Sequence, residues 1–211
     1  MPITWKEAVA NRKYVLLMFV WLVGLVVFVM VLPYFFNNVL LHKPGPRLND
    51  YAFQLLKPRD WSPVIFVLIF GAPALFLFVN FSSPEKILVI IQCYVVVNFL
   101  RLLCLYVFTL ETPEGIIPLV DPFLEKVAYG GNAAFTKDLF FSGHTSTLFI
   151  VSLAERRTWI KTILILSTVL IGFLLVWQRV HYTIDVIGAL LVTFAVYKGI
   201  VALNRLSFGR N

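Results

Sequence analysis

Charge is scarce in this 211-residue chain. Only 14% of its side chains are Asp, Glu, Lys or Arg, whereas 60% are hydrophobic and 16% aromatic, and the mean hydropathy is +0.86. A water-soluble domain of this size would leave too much apolar surface wet, so the chain reads as an integral membrane protein. Cysteine is almost absent: Cys93 and Cys104 fall inside one apolar run, read as buried thiols, and give no ground for a disulfide. The opening "MPITWKEAVANRK" lacks a short apolar core followed by a small-residue cleavage site, so no removable signal peptide is expected. Internal repeats and low-complexity tracts are missing too. The net charge of +7 could suggest nucleic acid in a soluble protein. In a membrane protein it reports orientation and anionic lipid head groups, and nucleic acid is discounted.

What the chain has in abundance is long apolar runs. Six are expected to be transmembrane helices, at 14–36, 62–80, 86–108, 140–154, 158–178 and 180–203, giving an all-α, polytopic bundle of six transmembrane helices. Residues 1–211 form a single domain, with an interfacial segment over 1–13, the six-helix core over 14–203 and a tail over 204–211. Thr4 and Glu7 have capping-box spacing, while "WSP" and "SSPE" put Ser62 and Ser83 at helix starts with Pro63 and Pro84 next. Six crossings leave both termini on one side. Ten Lys and Arg residues fall on that side and seven on the other, so the termini are expected to be cytoplasmic. The loops 37–61 and 109–139 and the turn near 178–180 then lie on the non-cytoplasmic face.

Two polar stretches interrupt this apolar background. "DLFFSGHTST" opens the fourth run with Ser142, His144 and Thr145, and "WQRVHYTIDVIGA" opens the sixth with His181 and Asp185 four residues apart. On a helix, that spacing puts the imidazole and the carboxylate on one face. One crossing and one turn separate the histidines, so both should sit at similar depth near the same face. A single polar residue in a membrane helix often just bonds to a neighbour, but three ionisable groups converging at one depth point to a site. Arg101, about two turns inside the third run, either snorkels or faces that site. Arg179 is either a solvated edge charge or a phosphate ligand, and His42 reads as a loop residue.

Two histidines, a carboxylate and nearby arginines suit phosphoryl chemistry. One imidazole held by a carboxylate can attack phosphorus, the other can protonate the leaving alkoxide, and arginines or helix N-terminal amides can hold phosphate oxygens. His144, His181 and Asp185 could also ligate a metal, but a dense metal-ligand motif is lacking. No metal and no cofactor is expected.

"FSGHT" followed by "HYTIDV" resembles the paired motifs of the sphingomyelin synthase-related branch of the type 2 phosphatidic acid phosphatase (PAP2) superfamily. The likeness extends back through "DLFFSGHT", "YGG" and "LRLLCLYVFTLETPEG" in the family's order. It implies a six-helix enzyme that transfers phosphate-containing head groups between lipids without a metal, through a phosphohistidine. His181 would be the nucleophile, Asp185 its orienting carboxylate, and His144 the acid and then the base. Asp138 matches an acidic position just ahead of the histidine motif. Candidates to bind substrate phosphate are Arg101, Asp138, Ser142, Gly143, Thr145, Arg179 and Tyr182.

The departures carry information as well. Lipid phosphate phosphatases of the superfamily have a KxxxxxxRP motif before SGH and SRxxxxxHxxxD after it. Here Leu175 stands six residues before His181, nothing upstream of Ser142 matches the first motif, and Lys198 and Arg205 match its spacing only beyond the site. A monoester dianion calls for more cations than a diester monoanion, which favours a phosphodiester donor. The expected reaction moves a phospho-head group from a phospholipid donor to a lipid alcohol of the ceramide or diacylglycerol type. With water as acceptor, the same site would be a phosphatase or a phospholipase C-type hydrolase. A transporter or interaction bundle is the non-enzymatic alternative.

Overall fold

The computed structural model describes residues 4–119 and 136–208, and the chain within them is all α-helical apart from its connections. The expected "YGG" pair and Asp121, Glu125 and Lys126 lie outside the described residues. Helix α1 (Trp5–Ala10) starts on the expected capping box: Glu7 N donates to Thr4 Oγ1 at 3.3 Å and Thr4 N donates to Glu7 Oε2 at 2.7 Å. Asn11 then caps α2 (Arg12–Phe35), accepting from Lys13 N and Tyr14 N, and α2 runs on into a π-helical turn over Phe36–Leu40. A short helix α3 (Tyr51–Leu55), absent from the sequence reading, interrupts the first long loop.

Helices α4 (Ser62–Asn80) and α5 (Pro84–Val107) follow the expected bounds closely. Their starts differ in detail. Ser62 is the first residue of α4 rather than its cap, and its N–H is held by Asp60 Oδ1 at 2.9 Å; Ser83 stands at the cap of α5 without a side-chain bond. In both, the proline sits in the first turn, where the missing N–H costs nothing. Helices α6 (Gly143–Ala154), α7 (Thr158–Trp177) and α8 (Thr183–Phe208) complete the fold.

Among the described residues, five helical stretches, Arg12–Leu40, Ser62–Asn80, Pro84–Val107, Thr158–Trp177 and Thr183–Leu206, are long and apolar enough to cross a membrane. The fourth expected crossing differs. Helix α6 has 12 residues, about 18 Å, which is short of a hydrocarbon core of about 30 Å. It needs no lipid-facing length because α4, α5, α7 and α8 all pack against it. Its hydroxyls turn inward onto its own backbone: Ser146 Oγ donates to Ser142 O at 2.8 Å and Thr147 Oγ1 to Gly143 O at 2.9 Å. Polar side chains so satisfied can sit in an apolar bundle without desolvation loss.

The two ends of the bundle are distinct. At one end, Trp61 and Trp177 pack with ring centroids 4.9 Å apart, and the loops after α2 and α5 knit together. Glu111 N donates to Pro46 O, Lys137 pairs with Glu111 at 2.9 Å, and a side chain at Gly45 would strike Thr109 O at 2.3 Å, so only glycine fits there. At the other end, the buried Glu155 carboxylate accepts from Asn80 Nδ2, from Lys86 Nζ at 3.2 Å and from the backbone N–H groups of Arg156 and Arg157. Of the two thiols, Cys93 is buried and Cys104 half-buried, and both are free.

Candidate active site

Helix α6 begins where a polar side chain can take the place of a preceding turn. Ser142 is its N-cap: Ser142 Oγ accepts from Thr145 N at 3.4 Å and from Thr145 Oγ1 at 3.1 Å. Ser142 N donates to the carbonyl of Asp185 at 3.1 Å, so the start of the first motif is bonded to the first turn of the second. The next residue has no side chain for a visible reason: a Cβ on Gly143 would lie 3.1 Å from Arg101 Cζ. Arg101 is buried beneath this turn rather than snorkelling. Its Nε donates to Phe141 O at 2.8 Å, and its Nη2 pairs with Asp138. The guanidinium thus holds the chain on both sides of Leu139 and Phe140 as it enters α6.

The second motif is built by a reciprocal bond. Tyr182 N donates to Asp185 Oδ2 at 2.9 Å and Asp185 N donates to Tyr182 O at 3.0 Å, which fixes the carboxylate at the start of α8. The same Oδ2 lies 3.2 Å from His181 Nδ1. Asp185 is 0% exposed and His181 1% exposed, and Asp185 Oδ1 has no hydrogen-bond partner among the described residues. With a carboxylate on Nδ1–H, the other ring nitrogen, Nε2, carries the lone pair. The half-buried His144 faces it: the two rings are 6.5 Å apart, centroid to centroid, at 65°. Both histidines therefore sit at one end and one depth, as the sequence implied.

Two of the expected phosphate ligands are engaged elsewhere. The Tyr182 hydroxyl is buried, donates to Glu111 O at 2.9 Å and accepts from Leu48 N at 3.3 Å. Arg179, at φ 61°, donates to Glu114 O at 2.8 Å and to Phe53 O at 2.9 Å, with its guanidinium over the Phe53 ring. Both residues tie the second motif to the loops. Sequence reading missed the partners of these ties. Gln178 accepts from Trp61 N at 2.7 Å and donates to Ser62 Oγ and Ile117 O, and Asp50 accepts from Thr183 N at 2.6 Å. Asp50 and Thr183 are 133 positions apart, so no local spacing could have revealed the contact. Among the described residues, no three His, Cys, Asp or Glu side chains gather as a metal-ligand group.

Comparison with known proteins fits this geometry. The chain is 34% identical over 182 residues to phosphatidylinositol:ceramide inositolphosphotransferase 3 of Arabidopsis thaliana, an alignment covering 71% of this chain and 61% of that relative. The chain thus spans less than two thirds of the relative's length. Residues 137–201 match the family described as PAP2 superfamily C-terminal. That interval holds Asp138, all of α6 and α7, and the part of α8 that carries Asp185, which bears out the resemblance drawn from the two histidine motifs. The segment that carries both histidine motifs is thus similar to the PAP2 superfamily C-terminal family.

Proposed function

We propose that the chain transfers a phospho-head group from a phospholipid to a lipid alcohol by double displacement through a phosphohistidine at His181. The observation that carries this reading is the facing imidazole pair, 6.5 Å apart, with the Asp185 carboxylate held against His181. His181 Nε2 attacks phosphorus, forming an N–P bond as the bond from phosphorus to the diacylglycerol oxygen breaks. His144 gives its proton to that departing oxygen. The acceptor hydroxyl then returns a proton to His144 and attacks phosphorus, and the N–P bond breaks. Asp185 stabilises the charge that develops on His181, and the first-turn amides of α6, with the positive end of its dipole, meet the phosphate oxygens. Arg101 and Asp138 hold that turn in place.

The relative's name supports phosphatidylinositol as donor and ceramide as acceptor. Leu175, in the place where phosphatases of the superfamily carry arginine, supports a diester over a monoester. The excess of basic residues on the side of the termini supports cytoplasmic termini and a site near the non-cytoplasmic face. The test uses purified protein in mixed micelles with phosphatidylinositol labelled in its head group. With ceramide added, label should pass to ceramide and diacylglycerol should appear. Phosphate release from phosphatidic acid, with no cleavage of any diester lipid, would make the chain a phosphatase. No turnover of any donor would leave the transporter reading.

A further inference from the structure

The second motif does not stand on its own helix alone. Asp50, in the loop between α2 and α3, reaches the first turn of α8 with both carboxylate oxygens. Oδ2 accepts from Thr183 N at 2.6 Å, and Oδ1 accepts from Thr183 Oγ1 at 3.0 Å and from Ala52 N at 3.0 Å. One carboxylate therefore caps two helices, and its negative charge lies at the positive end of α8. The flanking contacts follow the same path. Leu48 N donates to the Tyr182 hydroxyl, Arg179 donates to Phe53 O, and Trp177 Nε1 donates to Lys57 O at 2.9 Å. Residues 177–183 are thus stitched to residues 48–57, and His181 lies inside the stitched interval.

We infer that Asp50 is a positioning residue for the His181–Asp185 pair. It fixes Thr183 at the start of α8, and Thr183 follows Tyr182, whose N–H shares Asp185 Oδ2 with His181. Removing the carboxylate frees the first turn of α8 and with it the angle at which Asp185 meets the imidazole. A displacement of about 1 Å in a reacting group can cost on the order of 100-fold in rate. The catalytic consequence rests on the proposed phosphohistidine chemistry; the geometric one does not.

The experiment has two arms. In the transfer assay with labelled phosphatidylinositol and ceramide, Asp50→Ala is expected to lower kcat roughly 10- to 100-fold with KM within about twofold. Asp50→Asn, which can still bond to Thr183 without the charge, should recover most of that loss. The second arm needs no turnover. The chain has three histidines, His42, His144 and His181, so its ring nitrogens can be followed by NMR after 15N-histidine labelling, with His144→Ala and His181→Ala to assign them. Asp50→Ala should shift the His181 ring nitrogens and leave those of His42 unmoved. Unchanged His181 signals in a folded Asp50→Ala protein overturn the inference, whatever the activity. If that variant does not fold, Thr183→Pro, which removes both the N–H and the hydroxyl that Asp50 accepts from at a helix position where proline is tolerated, decides by the same signals, and no change there is equally fatal. An inactive wild-type protein whose His181 signals still respond to Asp50 would count against the proposed function and for the positioning role.

Discussion

At the residue scale the site is an asymmetric pair. His181 and His144 are the same side chain in two settings: His181 Nδ1 has the Asp185 carboxylate at 3.2 Å, and the proposed reaction uses the ring so held as the nucleophile. His181→Ala is therefore expected to abolish turnover, because nothing else among the described residues offers a nucleophile at that point. Asp185→Asn should leave a residue of activity, about 1000- to 10,000-fold below wild type, because it loses orientation and charge but keeps the ring that reacts. His144→Ala should bind donor lipid and fail to release the first alcohol. Steady-state transfer rates and donor binding by the three purified variants check these outcomes. The pair was legible in the sequence because His181 and Asp185 share a helix and a period. The Arg101–Asp138 clamp was only half legible: its arginine and carboxylate were singled out, but the carbonyl of Phe141 that Arg101 Nε seeks is a backbone group with no sequence signature. A lysine cannot span Phe141 O and Asp138 as the fork does, so Arg101→Lys should lower kcat by about tenfold or more with a small change in melting temperature.

At the scale of elements, α6 is the one whose length misled. Its apolar run suggested a full-length, lipid-facing crossing; it is a 12-residue helix wrapped by four others that carries the chain from one end of the bundle to the other, and hydropathy cannot tell a lipid-facing helix from one enclosed by protein. Its polar ends are the clue: Ser142 caps it at the site, and Glu155 ends it at the opposite face. Burial pushes the Glu155 carboxyl upward, but hydrogen bonds from Arg157 N, Asn80, Arg156 N and Lys86 outweigh that and hold it at about 2. A carboxyl held below its usual value of 4.5 adds stability above that value, and the contribution fades as pH falls towards about 2. The lowered value corresponds to on the order of 3 kcal/mol. Melting curves in micelles should therefore show Glu155→Gln well below wild type at pH 7, with the gap narrowing between pH 5 and pH 2. A constant gap across that range would mean that the charge of Glu155 contributes nothing.

At the scale of the whole molecule, composition alone identified a polytopic membrane protein, and most span bounds followed from apolar runs and prolines. The loop platform did not follow, because its ties, such as Leu48 to Tyr182 and Trp61 to Gln178, join positions more than 100 residues apart through backbone groups. Orientation is testable in a background without Cys93 and Cys104. A cysteine at 57 should react with a membrane-impermeant thiol reagent in intact cells, and one at 156 should not; the reverse pattern would invert the topology. The most direct test of the account is to trap its intermediate. Purified protein is mixed with phosphatidylinositol labelled at phosphorus, without ceramide, quenched early, and its covalently bound label mapped. The account predicts label on His181, labile to acid and stable to alkali, absent from His181→Ala and discharged onto ceramide when ceramide is added. Transfer to ceramide at the wild-type rate by His181→Ala, with no label on the protein, would contradict it.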